Sequence, residues 1–155
     1  MRLLYTTLLF IHLLGVVVWV GGMFVLHFAV RPTAVAQLAP PQRLPLLAET
    51  LGRFFFWVTI AVVAILASGF GQILGAGGAA NAHPSVHAML ALGLVMMAIY
   101  VAIRVVLFPR LQRAVAATDW PAAAASLDKI RRLVVTNLVL GIVTIAVATV
   151  GRALL

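Results

Sequence analysis

The sequence predicts an all-α protein, an integral membrane four-helix bundle. Of its 155 residues, 65% are hydrophobic and 9% are charged, which leaves too little polar surface for a water-soluble domain. No charged residue lies between Arg2 and Arg31, or between Arg53 and Arg104. Each stretch exceeds the ~20 residues that one helical crossing needs, and the second is long enough for two crossings. The chain is therefore expected to form a single transmembrane domain, residues 1–155, in a lipid bilayer.

The helix boundaries follow from local signals. Helix one should end where Pro32 follows Arg31, because proline disfavours helix in the residue before it. A short amphipathic segment, 44–53, is expected to lie in the headgroup zone before helix two. Helix three should start at Pro84, a residue tolerated in a first turn. The four predicted helices span about 3–30, 54–74, 84–113 and 122–152.

The distribution of basic residues predicts the orientation. Nine of the 11 lysines and arginines lie in or beside the first and third loops, and only Arg2 and Arg152 lie at the other face. Positive loops remain in the cytoplasm, so both termini should be periplasmic, in the inner membrane of a bacterium. The net charge of +8 is thereby explained by topology, and no nucleic-acid partner is expected.

The sequence also excludes several kinds of chemistry. It contains no cysteine, which rules out disulfides, thiolate metal sites, iron–sulfur clusters and covalent haem attachment. It has only three carboxylates, none within a predicted membrane-crossing segment because helix four should enter the bilayer only after Arg132, and no hydrolase or transferase motif. If the protein is an enzyme, a membrane oxidoreductase is the remaining class.

The polar residues of helix one form a stripe. At 100° per residue, His12, Trp19, Met23 and His27 share one face. Gly15 lies beside this stripe and removes bulk where either a flat macrocycle or a neighbouring helix could approach. Because an imidazole in lipid is costly without a partner, the stripe indicates a functional site.

A second group of histidines lies at the start of helix three, at the same end of the bundle. His83 and His87 are four residues apart and share one side of the first turn. His12 and His87 on facing helices are the natural axial pair for haem b, which indicates electron transfer. Haem propionates would need donors near this surface, and the available ones are Arg2, Arg152, His83, Asn81 and Gln72.

Copper is the alternative cofactor, since imidazole and thioether both suit this metal. Its candidate ligands are His12, His87, His83 and His27. Met89 and Met96 project roughly opposite to His87 by helical period, which argues against a methionine-lined path. Other hypotheses also stay open: histidines in separate structural roles, a cytoplasmic-side centre or an interhelical hydrogen bond at His27, a quinone or redox partner, a homodimer, and a scaffold without a cofactor.

Two family resemblances bear on these alternatives. The patterns are HLLGVVVWVGGMF in helix one, RFFFWVTIAVVAILASGFGQIL in helix two, and His87 followed by a long apolar run into a basic end. With them the chain resembles the CopD family of bacterial membrane proteins, which implies copper resistance and copper import. It is more distantly similar to the HemJ type of protoporphyrinogen oxidase, a haem-binding membrane protein with an H-x-K motif in helix three. Here Met89 stands in place of that lysine.

Overall fold

The computed structural model describes residues 2–75, 77–78 and 83–151. Within these residues the chain forms helices and no strand. Four helices are long and apolar enough to cross a membrane: α1, Arg2–Gln37; α2, Pro40–Gly75; α3, Pro84–Ala116; and α4, Trp120–Thr149. The prediction of an all-α multi-pass membrane protein is therefore confirmed. Arg152 and Asn81, two of the predicted propionate donors, lie outside the described residues.

Helix α1 continues through Pro32 to Gln37, beyond its predicted end at about 30. A π-helical segment, Leu26–Val30, comes directly before Arg31 and Pro32. Another π-helical segment, Ile103–Leu107, precedes Pro109 in α3 in the same way. Proline lacks an N–H and its ring crowds the carbonyl four residues back. Because a π turn bonds to the residue five positions away, it accommodates the ring without ending the helix.

Helix α2 begins at Pro40, well before the predicted start at 54. The amphipathic segment is continuous with the membrane span, and its apolar side chains Leu44, Leu47 and Leu51 are buried in the bundle. Leu44 and Leu51 contribute to a core that also contains Phe108 of α3 and Ile130 of α4. The apolar face of 44–53 is thus covered by the other helices and not by headgroups. This tightly packed region forms the end of the bundle opposite the chain termini.

Two glycines allow close helix contacts in the span. A Cβ atom on Gly15 would lie 2.7 Å from Ile65 Cγ1 and 3.1 Å from the Ala61 carbonyl oxygen. Gly15 therefore serves the approach of a neighbouring helix, α2, and not of a macrocycle. A Cβ atom on Gly141 of α4 would lie 2.9 Å from Val20 of α1. These contacts fix α1 against both α2 and α4.

Candidate functional site

A cavity of about 540 Å³ lies among all four helices at the end that holds the chain termini. Its wall is mostly apolar. The side chains with nitrogen, oxygen or sulfur atoms in the wall are Tyr5, His12, Trp19, Gln72, His83, Ser85, Met89, Met96, Met97, Thr144 and Thr149. No carboxylate is among the described residues of this wall. We call this cavity the termini cavity.

His12 projects from α1 onto α2 and is held there by two hydrogen-bond partners. Its Nδ1 atom lies 3.1 Å from the Ile65 carbonyl oxygen and 3.1 Å from the Ser68 hydroxyl oxygen. The Ser68 hydroxyl donates to the Ala64 carbonyl at 2.5 Å, so its oxygen is left to accept. Both partners of Nδ1 are then acceptors, and Nδ1 must carry the imidazole proton.

This arrangement fixes the chemistry of the other ring nitrogen. With the proton on Nδ1, Nε2 of the neutral imidazole holds a free lone pair. No hydrogen bond within the described part of the chain involves His12 Nε2. A metal-ligating histidine characteristically donates its second nitrogen to a carbonyl or carboxylate, which sets the tautomer and the ring orientation. His12 has that geometry.

His83 has the opposite arrangement. It is the N-cap of α3, and its Nδ1 accepts from the Ser85 backbone N–H at 3.3 Å and lies 2.9 Å from the Ser85 hydroxyl oxygen. The lone pair of Nδ1 is therefore occupied, and the neutral ring carries its proton on Nε2. His83 lines the termini cavity, and its Nδ1 atom is not free to bind a metal ion.

The structure does not pair His12 with His87 as the sequence predicted. His87 is exposed and lies outside the part of the cavity wall that the structure describes. The inward positions of α3 include Met89, Met96 and Met97, all three in the wall. Met89 and Met96 lie in the wall and His87 is exposed, so the two methionines lie roughly opposite to His87 as the helical period indicated, but His87 is the residue that faces outward. Because the side of α3 that carries Met89 and Met96 faces the cavity, the helical period favours a site with thioether donors, contrary to the expectation from the sequence.

The other predicted site residues are dispersed. Trp19 is buried in the cavity wall, with its ring centroid 6.1 Å from that of Tyr100 in an edge-on contact. Arg2 is exposed at the start of α1 and is not among the described residues of the wall. His27 lies in a separate small groove at the opposite end of the bundle. Met23 is buried between the two ends.

Sequence reasoning missed Ser68, the residue that helps to set the His12 tautomer. Ser68 is 1% exposed and lies in the middle of an apolar span. A hydroxyl at such a position needs a partner, so an isolated serine in helix two was the signal that could have identified it.

The described residues contain no group of three or more histidine, aspartate or glutamate side chains that could hold a metal ion. The wall of the termini cavity contains the His12 imidazole and the thioethers of α3, and both kinds of side chain suit a soft metal ion such as Cu(I).

The fold and the cavity together define a class: multi-pass membrane proteins with a cavity that four helices line and that contains imidazole and thioether side chains. A family model described as copper resistance protein D matches residues 48–150, about two thirds of the chain. The protein belongs to the copper resistance protein D family, as its resemblance to CopD predicted. The matched segment contains α3 with its methionines and does not include His12. No curated protein and no solved structure gives a significant match, so the similarity to HemJ-type oxidases has no support.

Proposed function

We propose that the protein binds Cu(I) in the termini cavity, as a step in moving copper across the membrane. The observation that carries this proposal is the hydrogen bonding of His12, which commits Nδ1 to α2 and leaves Nε2 free in a side chain that lines the cavity. Thioether sulfurs of Met89, Met96 and Met97 in the same wall supply further soft donors. Copper is the cargo in this account.

The donor set and its surroundings favour the reduced ion. Thioether ligands select Cu(I) over harder divalent ions, and imidazole suits copper in either state. The wall is mostly apolar, so it limits the access of water, and solvent access is one factor that sets the redox potential of a bound metal. The Met96 sulfur also lies 3.9 Å from the Thr144 hydroxyl, a contact that holds this side chain at the wall.

The bis-histidine haem b hypothesis does not fit these residues. His12 could serve as one axial ligand, but His87 lies outside the described wall of the cavity and the Nδ1 atom of His83 is bonded to Ser85. A bis-histidine centre needs a second imidazole from a facing helix, and His87, the histidine within α3, is exposed. The structure therefore gives no support to a haem held by two histidines or to electron transfer through such a centre.

The experiment is an anaerobic titration of the detergent-purified protein with Cu(I) against a chromophoric Cu(I) chelator, with an optical spectrum of the same sample. The proposal predicts one tightly held Cu(I) per chain and no Soret band. A purified protein that shows a Soret band and takes no copper from the chelator contradicts it and restores the haem hypothesis.

We also propose that the protein lies in the bacterial inner membrane with both termini in the periplasm, which makes the termini cavity accessible from outside the cell. The asymmetry of basic residues between the two faces supports this orientation. The proposal predicts that alkaline phosphatase fused after residue 155 is active in cells. Activity only for a fusion in the 117–119 loop contradicts it.

Replacing Ser68 by alanine is expected to weaken Cu(I) binding by about 10- to 100-fold, the usual cost of losing an outer-shell partner of a metal ligand. The reason is that the hydroxyl oxygen accepts from His12 Nδ1 and helps to hold the imidazole in position. The measurement is the chelator competition. Ser126→Ala, on the far end of α4, is the matched control and should bind as the native protein does. An unchanged affinity in Ser68→Ala would contradict the role assigned to the hydroxyl.

A further inference from the structure

A second site lies at the opposite end of the bundle, in a small groove between α1, α2 and α4. Its wall consists of leucine, isoleucine and valine side chains, and three basic side chains, His27, Arg31 and Arg131, also line it. We call it the basic groove. No described carboxylate lines it.

The Arg31 guanidinium lacks a hydrogen-bond acceptor among the described residues. Its side chain is half-buried, and no hydrogen bond or ion pair connects it to any described residue. A guanidinium carries five N–H donors and cannot lose its charge in a protein. Partial burial of such a group without an acceptor is unfavourable, so an anion from outside the chain is the natural partner.

Asp128, the carboxylate nearest in sequence to Arg131, does not serve as an acceptor for Arg31. Asp128 accepts from Arg131 at 2.6 Å and from Arg132 at 2.9 Å, so one carboxylate already serves two guanidinium groups. The groove is therefore positively charged on balance. This charge also decides the role of His27: two arginines in the same groove oppose a metal cation there and favour an anion.

We propose that the basic groove binds an anionic phospholipid, with its phosphate at Arg31 and Arg131 and an acyl chain along the apolar wall. Guanidinium groups match phosphate oxygens in geometry and charge. Leu26 and Leu127 of this wall are partly exposed, and an acyl chain would cover them whereas a free phosphate would not. The basic faces of membrane proteins also lie against the leaflet rich in anionic lipid. This proposal does not depend on copper.

The test compares thermal unfolding of the full chain in a neutral detergent with added phosphatidylglycerol or phosphatidylcholine. A ligand that binds only the folded state raises the unfolding temperature. We expect phosphatidylglycerol to raise it by a few degrees more than phosphatidylcholine does. Arg31→Gln should lose most of that difference. Arg110→Gln is the matched control, because Arg110 is exposed on α3 at the same end and does not line the groove, and it should keep the difference.

One further variant and two compounds without acyl chains complete the test. Leu127→Trp narrows the apolar wall without changing charge, and it should also lose the phosphatidylglycerol effect, which keeps the test valid if Arg31→Gln does not fold. Glycerol phosphate and inorganic phosphate, which lack acyl chains, should give no shift. An equal loss in Arg31→Gln and Arg110→Gln would indicate general surface attraction and overturn the proposal. A full shift with inorganic phosphate would overturn the lipid assignment.

Discussion

Replacing His12 by alanine is expected to abolish tight Cu(I) binding, with a loss of affinity greater than the about 10- to 100-fold that removal of an outer-shell partner costs. His12 Nε2 is the one imidazole lone pair that the described hydrogen bonds leave free in the termini cavity. The thioethers that remain are weaker donors. The measurement is anaerobic competition against a chromophoric Cu(I) chelator, with thermal unfolding to verify that the variant is folded.

His87→Ala is the matched control for this variant. His87 is exposed and outside the described cavity wall, so its removal should leave Cu(I) affinity unchanged. The two variants also separate the rival hypotheses. If His12 and His87 were the two axial ligands of a haem, each alanine variant would lose haem to the same extent. A folded His12→Ala protein that binds copper as tightly as the native chain would contradict the site assignment, as would an equal loss of copper in His87→Ala.

Replacing Gly15 by valine is expected to destabilise the bundle by about 1–3 kcal/mol, the typical cost of overpacking a well-packed contact. A Cβ atom at this position would meet Ile65 Cγ1 at 2.7 Å and the Ala61 carbonyl oxygen at 3.1 Å. The isoleucine side chain can move, but the carbonyl belongs to the α2 backbone, so the two helices must separate. Thermal unfolding in detergent measures the effect.

Gly21→Val is the control for this prediction. Gly21 lies on the same helix, and a Cβ atom there would meet nothing within 4 Å. Both substitutions make a similar change in helix propensity, so any difference between them reports the contact with α2. Equal unfolding temperatures for Gly15→Val and Gly21→Val would show that α1 and α2 do not depend on this close approach.

The sequence was sufficient for the fold class because long charge-free stretches dictate membrane helices. It was not sufficient for the helix ends. The rule that a helix ends before proline fails at Pro32, where a π-helical segment directly before the proline widens the backbone. Nothing in residue preference alone indicates such a segment. The amphipathic segment 44–53 was recognised, but its apolar face is covered by other helices.

The candidate site was predicted in part. His12 was singled out because an imidazole in an apolar helix needs a partner, and the structure supplies that partner from α2. The choice of His87 as its counterpart depended on the rotation of α3, which a periodic pattern of apolar residues does not define when the helix is apolar on nearly every side. The Met89 and Met96 positions were placed correctly relative to His87, and only the direction of the whole set was reversed.

The most direct test of the copper site is a copper K-edge X-ray absorption spectrum of the Cu(I)-loaded protein. The account predicts a Cu(I) edge and a first coordination shell that combines one imidazole nitrogen with thioether sulfur, and the nitrogen component should disappear in a His12→Ala sample loaded at high copper. A first shell of nitrogen and oxygen without sulfur, or one that is the same in both samples, would contradict it.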